Sequence, residues 1–197
     1  RQPVITGVQI TGLLHGPHGI GRHEGKALFV RGVAPGEEVD VVVRETHRSY
    51  AYADVERMVQ VSPERRTPPC TYLPECGGCP WQHLSYPAQL QAKEASVRDH
   101  LARIGKLPDV PVLPIIPSPQ EFAYRSRLSV RVEAGRVGFF AGGSHTLVPV
   151  DACLLGTPPV SAAIRDIAAL APRLTSRLRR IEIAQQSEAI SSPVVMY

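Results

Sequence analysis

The sequence predicts a mixed β and α/β protein, with an OB-type β-barrel first, then a cysteine-cluster insert, then a partial α+β domain. Three observations predict it. Residues 1–62 alternate short β-type runs with Gly/Pro punctuation, two proline-rich stretches interrupt the chain at 62–69 and 107–119, and three of the cysteines crowd into residues 70–79 between them. Of 197 residues, 43% are hydrophobic, which is enough to bury real cores, and 20% are charged, too few for a disordered polyelectrolyte.

In the first segment Val4–Ile10, Ala27–Arg31, Val39–Arg44 and Tyr50–Gln60 read as strands. The glycine-rich stretch His15–Gly21 reads as a loop between them. Several short strands in about sixty residues fit a small barrel of the OB type. The run Ser62-Pro63-Glu64-Arg65-Arg66-Thr67-Pro68-Pro69 cannot continue a central strand or a helix, since its prolines lack backbone donors and fix φ. A domain boundary is placed there. The segment 63–106 then reads as linker, cysteine cluster and a helix from about Ser85 to Ile104, with Leu90, Val97, Leu101 and Ile104 sharing a face and Gly105 as the stop. Leu107–Pro119 carries five prolines and reads as an extended connector.

In the last segment, 107–197, Tyr124–Glu133, Gly138–Phe140 and Thr146–Val150 read as strands, with turns at Ala134-Gly135 and Gly142-Gly143. Thr157-Pro158 provides an N-cap and first turn for a helix to about Leu174, with Val160, Ile164, Ile167, Ala171 and Leu174 as its buried stripe. Arg180–Ala184 and Pro193–Tyr197 read as two further strands, the second running to the last residue, so the α+β domain is expected to be partial.

Cys70, Cys76, Cys79 and Cys153 carry the strongest chemical signal. The spacing Cys70-x5-Cys76-x2-Cys79 with a distant Cys153 makes one complete set of four thiolates, and Gly77-Gly78 lets the backbone turn sharply between two of them. No charged-then-apolar leader opens the chain at Arg1 and no apolar run nears the roughly eighteen residues of a membrane helix, so the expectation is a cytoplasmic protein with reduced thiols and no membrane partner. Spacing by itself leaves zinc and an iron–sulfur cluster equally open, with a disulfide or uncoordinated core cysteines as the less favoured alternatives.

The glycines at 16, 19, 21 and 25 do not make a dinucleotide loop, because position 24 is Glu24 and no long helix follows. His15, His18 and His23 lack a carboxylate or cysteine to complete a metal set. In Phe122–Arg131 basic and aromatic residues interleave; strand alternation puts Arg125, Arg127 and Arg131 on one face and Tyr124, Leu128 and Val130 on the other, an arrangement able to meet RNA phosphates or a solvated surface. Arg173, Arg177, Arg179 and Arg180 form a weaker basic cluster. Residues 1–69 hold nine basic and eight acidic side chains and residues 70–197 thirteen and ten, so any nucleic-acid surface must be a local patch.

These residues resemble the RNA uracil-C5 methyltransferase family, whose members make 5-methyluridine. Residues 1–62 resemble its N-terminal TRAM domain, above all Gly19-Ile20-Gly21-Arg22 and Val33-Ala34-Pro35-Gly36-Glu37. Pro69-Cys70, Cys76-Gly77-Gly78-Cys79, Gln82-His83-Leu84, Tyr86, Gln89-Leu90, Lys93, Tyr124-Arg125, Arg127, Gly138-Phe139, Ser144-His145 and Cys153 carry the rest of the likeness. The resemblance implies that the four cysteines hold a 4Fe-4S cluster rather than zinc. It further implies RNA as partner, ribosomal (23S) favoured over transfer RNA, and S-adenosylmethionine as cofactor of the full-length enzyme only. Phe140 stands where family members often carry arginine. The family's methyltransferase domain is not represented, so neither catalytic nor S-adenosylmethionine-binding residues are expected in this chain, and no obligate protein partner is inferred. The competing expectation is a stand-alone zinc-stabilised RNA-binding module without catalysis.

Overall fold

The computed structural model describes residues 4–14, 16–173, 178–185 and 194–196. The chain divides into two compact units: residues 1–68 with 80–117, and residues 69–79 with 118–197. The cysteine loop therefore folds with the second unit and the helix that follows it with the first, whereas the sequence reading grouped both in 63–106.

The first unit is built on a six-stranded sheet, β1 (Val4–Gln9), β2 (Gly12–Leu13), β3 (His18–His23), β4 (Lys26–Arg31), β5 (Glu38–Thr46) and β6 (Tyr50–Gln60), in the order β1-β5-β6-β4-β3-β2. Its two outer members are successive pieces of one run of chain, so the sheet curls back on itself. β4 and β6 pair in parallel, Phe29 opposite Tyr52, and every other pair is antiparallel. Val8, Ile10, Leu28, Val30, Val33, Val39, Val41, Ala51 and Ala53 fill the interior. A fully buried aliphatic chain of this kind contributes about 1.5–3 kcal/mol.

The stretch read as a loop holds the first four residues of β3. Gly19 and Gly21 face the interior, where a Cβ would stand 2.5 Å from Val33 Cγ2 and 2.5 Å from Val8 Cγ1 respectively. Glycine here is a packing requirement of a tightly curled sheet, and a composition rich in Gly and Pro conceals the strand. The turn Glu24-Gly25 has φ of 48° and 80°, the two positive values that a two-residue hairpin needs.

Helix α1 (Tyr86–Asp99) begins about where the sequence placed it, with Ser85 as its cap, Oγ accepting from Ala88 N at 3.3 Å, and passes into a wider-wound turn at His100–Ile104 before Gly105. The face shared by Leu90, Val97, Leu101 and Ile104 is only partly covered, with Leu90 and Leu101 half-buried. Neither segment buries a residue, Val97 is 51% exposed and Ile104 75%.

The second unit holds a five-stranded antiparallel sheet, β7 (Arg127–Glu133), β8 (Arg136–Phe140), β9 (Leu147–Pro149), β10 (Arg180–Gln185) and β11 (Val194–Met196), in the order β11-β10-β7-β8-β9. Ala134-Gly135 is again a turn with two positive φ values, 47° and 72°. Helix α2 (Pro158–Leu170) packs Val160, Ile164 and Ile167 onto Leu128, Val130, Val132, Ile181 and Ile183 of the sheet. Thr157 is at the N-cap position, but its hydroxyl donates to Gln185 Oε1 at 2.7 Å instead of capping the helix. Leu174 and Arg177 lie outside the described residues.

Candidate functional site

In the second unit, turns over residues 69–79 carry three cysteines against the β8–β9 hairpin. Cys76 N donates to Tyr72 O at 2.8 Å and Gly77 N to Phe140 O at 3.0 Å, and Cys76 forms an isolated bridge with Ala141. Gly77 is pressed so closely on the hairpin that a Cβ would stand 2.7 Å from Gly142 Cα. Tyr72 reaches Asp151 through its hydroxyl, which also accepts from Asp151 N at 3.1 Å. Two residues on, Cys153 is held by its N–H, which donates to Ser161 Oγ at 3.0 Å at the start of α2. The loop and the distant cysteine are thus tied to the same sheet.

All four cysteines are partly buried and none is in a disulfide. Burial pushes the Cys76 thiol up, the Gly78 N–H pulls it down, and the charges of Cys70 and Cys153 raise it further. In donor chemistry this set suits a thiolate-ligated metal group. Among the described residues, no group of three or more His, Cys, Asp or Glu side chains is placed so that it could hold a metal ion.

The predicted arginine face holds for part of its length. Leu128, Val130 and Val132 point into the core while Arg127, Ser129 and Arg131 alternate outward. Arg125 lies before β7 rather than in it, bridging in parallel to Gly156 with its guanidinium 5.9 Å from the Tyr124 ring. Arg127 is 3.9 Å from Glu182, and Arg131 sits 5.1 Å over the Phe140 ring. Arg131 and Phe140, with Gly77, Gly78, Gly142 and Gly143, line a cavity of about 340 Å³ beside the cysteine loop. Of the weaker basic cluster, Arg180 pairs with Glu182.

In the first unit, the residues after Cys79 close onto the sheet. Trp81 Nε1 donates to Gly16 O at 2.6 Å, Arg66 N to His83 O at 2.9 Å and Ser85 N to Glu64 O at 2.8 Å, while Leu84 is fully buried. The His83 ring bonds Val33 O through Nε2 at 3.1 Å, and burial holds its pKa below the usual value. Beneath it Glu37, wholly buried, accepts from Ala34 N at 2.7 Å and from Arg65 Nε at 2.5 Å. Burial raises this carboxyl, and the Arg65 and backbone bonds outweigh that and bring it below its ordinary range. Sequence reading passed over the Glu37–Arg65–His83 assembly because its members are up to 46 positions apart in the chain. His18 and His23 stand at opposite ends of β3 and His15 lies outside the described residues, so the three make no described metal set.

The curled sheet with its parallel β4–β6 pair coincides with a match to a known family model. Residues 6–55 match the TRAM domain. Curated relatives extend the likeness past the TRAM segment. An uncharacterized RNA methyltransferase of Aquifex aeolicus is 40% identical over 155 residues, 79% of this chain and 36% of the relative. One from Bdellovibrio bacteriovorus is 33% identical over 177 residues, 89% of this chain and 45% of the relative. The chain thus spans less than half the length of these relatives. Among solved structures, the Pyrococcus abyssi tRNA (uracil-54, C5)-methyltransferase in complex with S-adenosyl-L-homocysteine superposes with a TM-score of 0.65 at 21% identity, over 98% of this chain and 45% of that one. At that identity the likeness is one of fold.

Proposed function

We propose that this chain is the RNA-recognition and iron–sulfur portion of an S-adenosylmethionine-dependent RNA uridine C5-methyltransferase, acting on 23S ribosomal RNA in the cytoplasm. The observation that carries the reading is a TRAM-matching barrel followed, on one chain, by a four-cysteine unit, in a sequence whose relatives are named RNA methyltransferases. No helix among the described residues is long and apolar enough to cross a membrane.

Cys70, Cys76, Cys79 and Cys153 hold a 4Fe-4S cluster in this reading. Bound there, it is a structural cross-link between the loop and the sheet and supplies no methyl group or electron. Arg125, Arg127 and Arg131 contact RNA phosphates. Carbon 5 of uracil is too weak a nucleophile to take a sulfonium methyl directly; adding a thiolate at carbon 6 activates it, and after methyl transfer a base removes the carbon 5 proton while the thiolate leaves carbon 6, restoring the double bond. All four thiols of this chain being assigned to the cluster, methyl transfer belongs to the longer enzyme.

Binding titrations against a 23S ribosomal fragment and a transfer RNA, each at several salt concentrations, test the assignment. Tighter, salt-dependent binding of the ribosomal fragment is expected. Preference for transfer RNA would move the substrate assignment, and no RNA binding at low salt would remove the RNA-recognition role altogether.

A further inference from the structure

The cavity of about 340 Å³ in the second unit lies on the sheet face turned away from α2. Leu128, Val130, Val132 and Val137 point into the core against the helix, so strand alternation turns Ser129, Arg131, Gly138 and Phe140 the other way. Ser129, Arg131 and Phe140 line the cavity, and the glycines of the cysteine loop and of the β8–β9 turn wall it with backbone alone, which lets a flat ligand come close. The Arg131 guanidinium sits 5.1 Å over the Phe140 ring. The exposed His145 ring meets Phe140 edge-on, with centroids 5.2 Å apart and the planes at 83°.

Arg131 is the one charged residue among those lining the cavity, and no carboxylate lines it. The acidic groups around it are each answered or exposed. Glu182, opposite Ser129 in register, is met by Arg127 at 3.9 Å and by Arg180. Glu133 stands opposite Arg136, Asp151 accepts from the Tyr72 hydroxyl, and Glu75 of the cysteine loop is exposed. The surroundings are therefore close to neutral, and thiolates in the adjoining loop would add negative charge. Such a setting weighs against a bare anion and favours a ligand held chiefly by an uncharged ring, with a single negative group for Arg131. One nucleotide has that composition, whereas free phosphate would leave Phe140 unused. The volume is at the small end for ligand cavities, the scale of a single nucleotide. A base paired in a duplex has both faces covered by its neighbours, so the occupant must be unpaired.

We infer that this cavity receives one unpaired nucleotide of a bound RNA strand, its base on Phe140 and His145 and its phosphate on Arg131. The inference rests on the chain being an RNA-recognition portion and adds a subsite at which a base is held as well as the backbone. The test titrates a short oligouridine and a base-free ribose-phosphate strand of equal length against the whole chain, in wild type, Phe140→Leu and Phe140→Tyr, with thermal melting to monitor folding. Phe140→Leu should weaken the uridine strand about tenfold, the scale of one lost stacked base. It should leave the base-free strand and the salt slope unchanged, because every phosphate contact remains. Phe140→Tyr keeps a ring and should bind as wild type does. Irradiation of wild type with a thiouridine strand is expected to crosslink the β8–β9 hairpin, a readout that does not depend on any variant folding. Uridine binding untouched by Phe140→Leu, equal weakening of both strands, a loss in Phe140→Tyr as large as in Phe140→Leu, or crosslinks that spare the hairpin would each overturn the subsite and leave RNA recognition by the chain standing. Failure of wild type to bind either strand at low salt would remove the RNA-recognition reading itself.

Discussion

Glu37 has no exposure to solvent, and its charge is tolerated because Arg65 meets both carboxylate oxygens, at 2.5 and 2.9 Å, while Ala34 N–H supplies another bond. Removing the guanidinium strands a buried carboxylate, so Arg65→Ala is expected to cost about 3–5 kcal/mol in a urea melt. The same assembly has a pH signature. Glu37 and His83 both have folded pKa values below their ordinary 4.5 and 6.5. A group depressed in the fold stabilises it fully above its unfolded pKa and loses that contribution as pH falls through the folded one. Stability is therefore expected to decline first below about pH 6.5, from His83, and further below about 4.5, from Glu37. His83→Gln, whose amide can still donate to Val33 O, should flatten the part between pH 7 and 5 when urea midpoints are compared. Gly138 marks a different constraint, since a Cβ there would sit 1.9 Å from Val148 O on the paired strand. Gly138→Ala forces β8 and β9 apart and should destabilise the second unit by about 1–3 kcal/mol, read from its thermal midpoint.

At the scale of elements, the β7–β8 hairpin shows how local chemistry and pairing divide the work. Its two turn residues both need positive φ, which Gly135 adopts freely and Ala134 does not. Asparagine suits that position better, and Ala134→Asn is expected to stabilise by about 0.5–1 kcal/mol in a denaturant titration. The arginines beside the hairpin yield a prediction of another kind. If Arg127 and Arg131 each touch a phosphate of a single strand, the double alanine variant should reduce the slope of log affinity against log salt by about 1.4. An unchanged slope returns β7 to the status of an ordinary amphipathic strand. These two elements were legible in the sequence because turn and alternation are local signals. β3 was not, because its glycines answer to Val8, Ile10 and Val33, which only the curled sheet brings near. How far the shared face of α1 is covered was not legible either, for the opposite reason. Helical spacing of Leu90, Val97, Leu101 and Ile104 shows that they can share a stripe, and says nothing of whether anything packs on it.

For the whole molecule the cysteines and the proposed RNA-recognition role set the expectations. Anaerobically purified protein is expected to contain about four irons and matching labile sulfide per chain, with broad visible absorption. Stoichiometric zinc without sulfide would replace the cluster by a structural zinc site. Cys153→Ser should release the loop 69–79 from the sheet, seen as faster amide exchange there, since Cys153 is the thiol farthest from the loop in sequence. Radiolabelled methyl transfer from S-adenosylmethionine to unmodified RNA by residues 1–197 is expected to stay at background, and measurable transfer would mean that one cysteine serves as a nucleophile.

The sequence by itself determined the features that depend on neighbours along the chain: the strands with clean alternation, the Ser85 helix start, the Ala134-Gly135 turn, the proline-rich breaks and the cysteine spacing. The tertiary structure decided what depends on residues far apart. It joined the cysteine loop to the unit carrying Cys153 and closed residues 81–85 onto the barrel through Trp81, Arg66 and Glu64. It also buried Glu37 beside Arg65 and gathered His18, Phe29, His47, Tyr50 and Tyr52 on one outer face. The division is physical. Backbone dihedrals and side-chain alternation are set within a few residues, whereas desolvation, close packing and ring contact arise only when chain closure brings distant segments within a few ångströms.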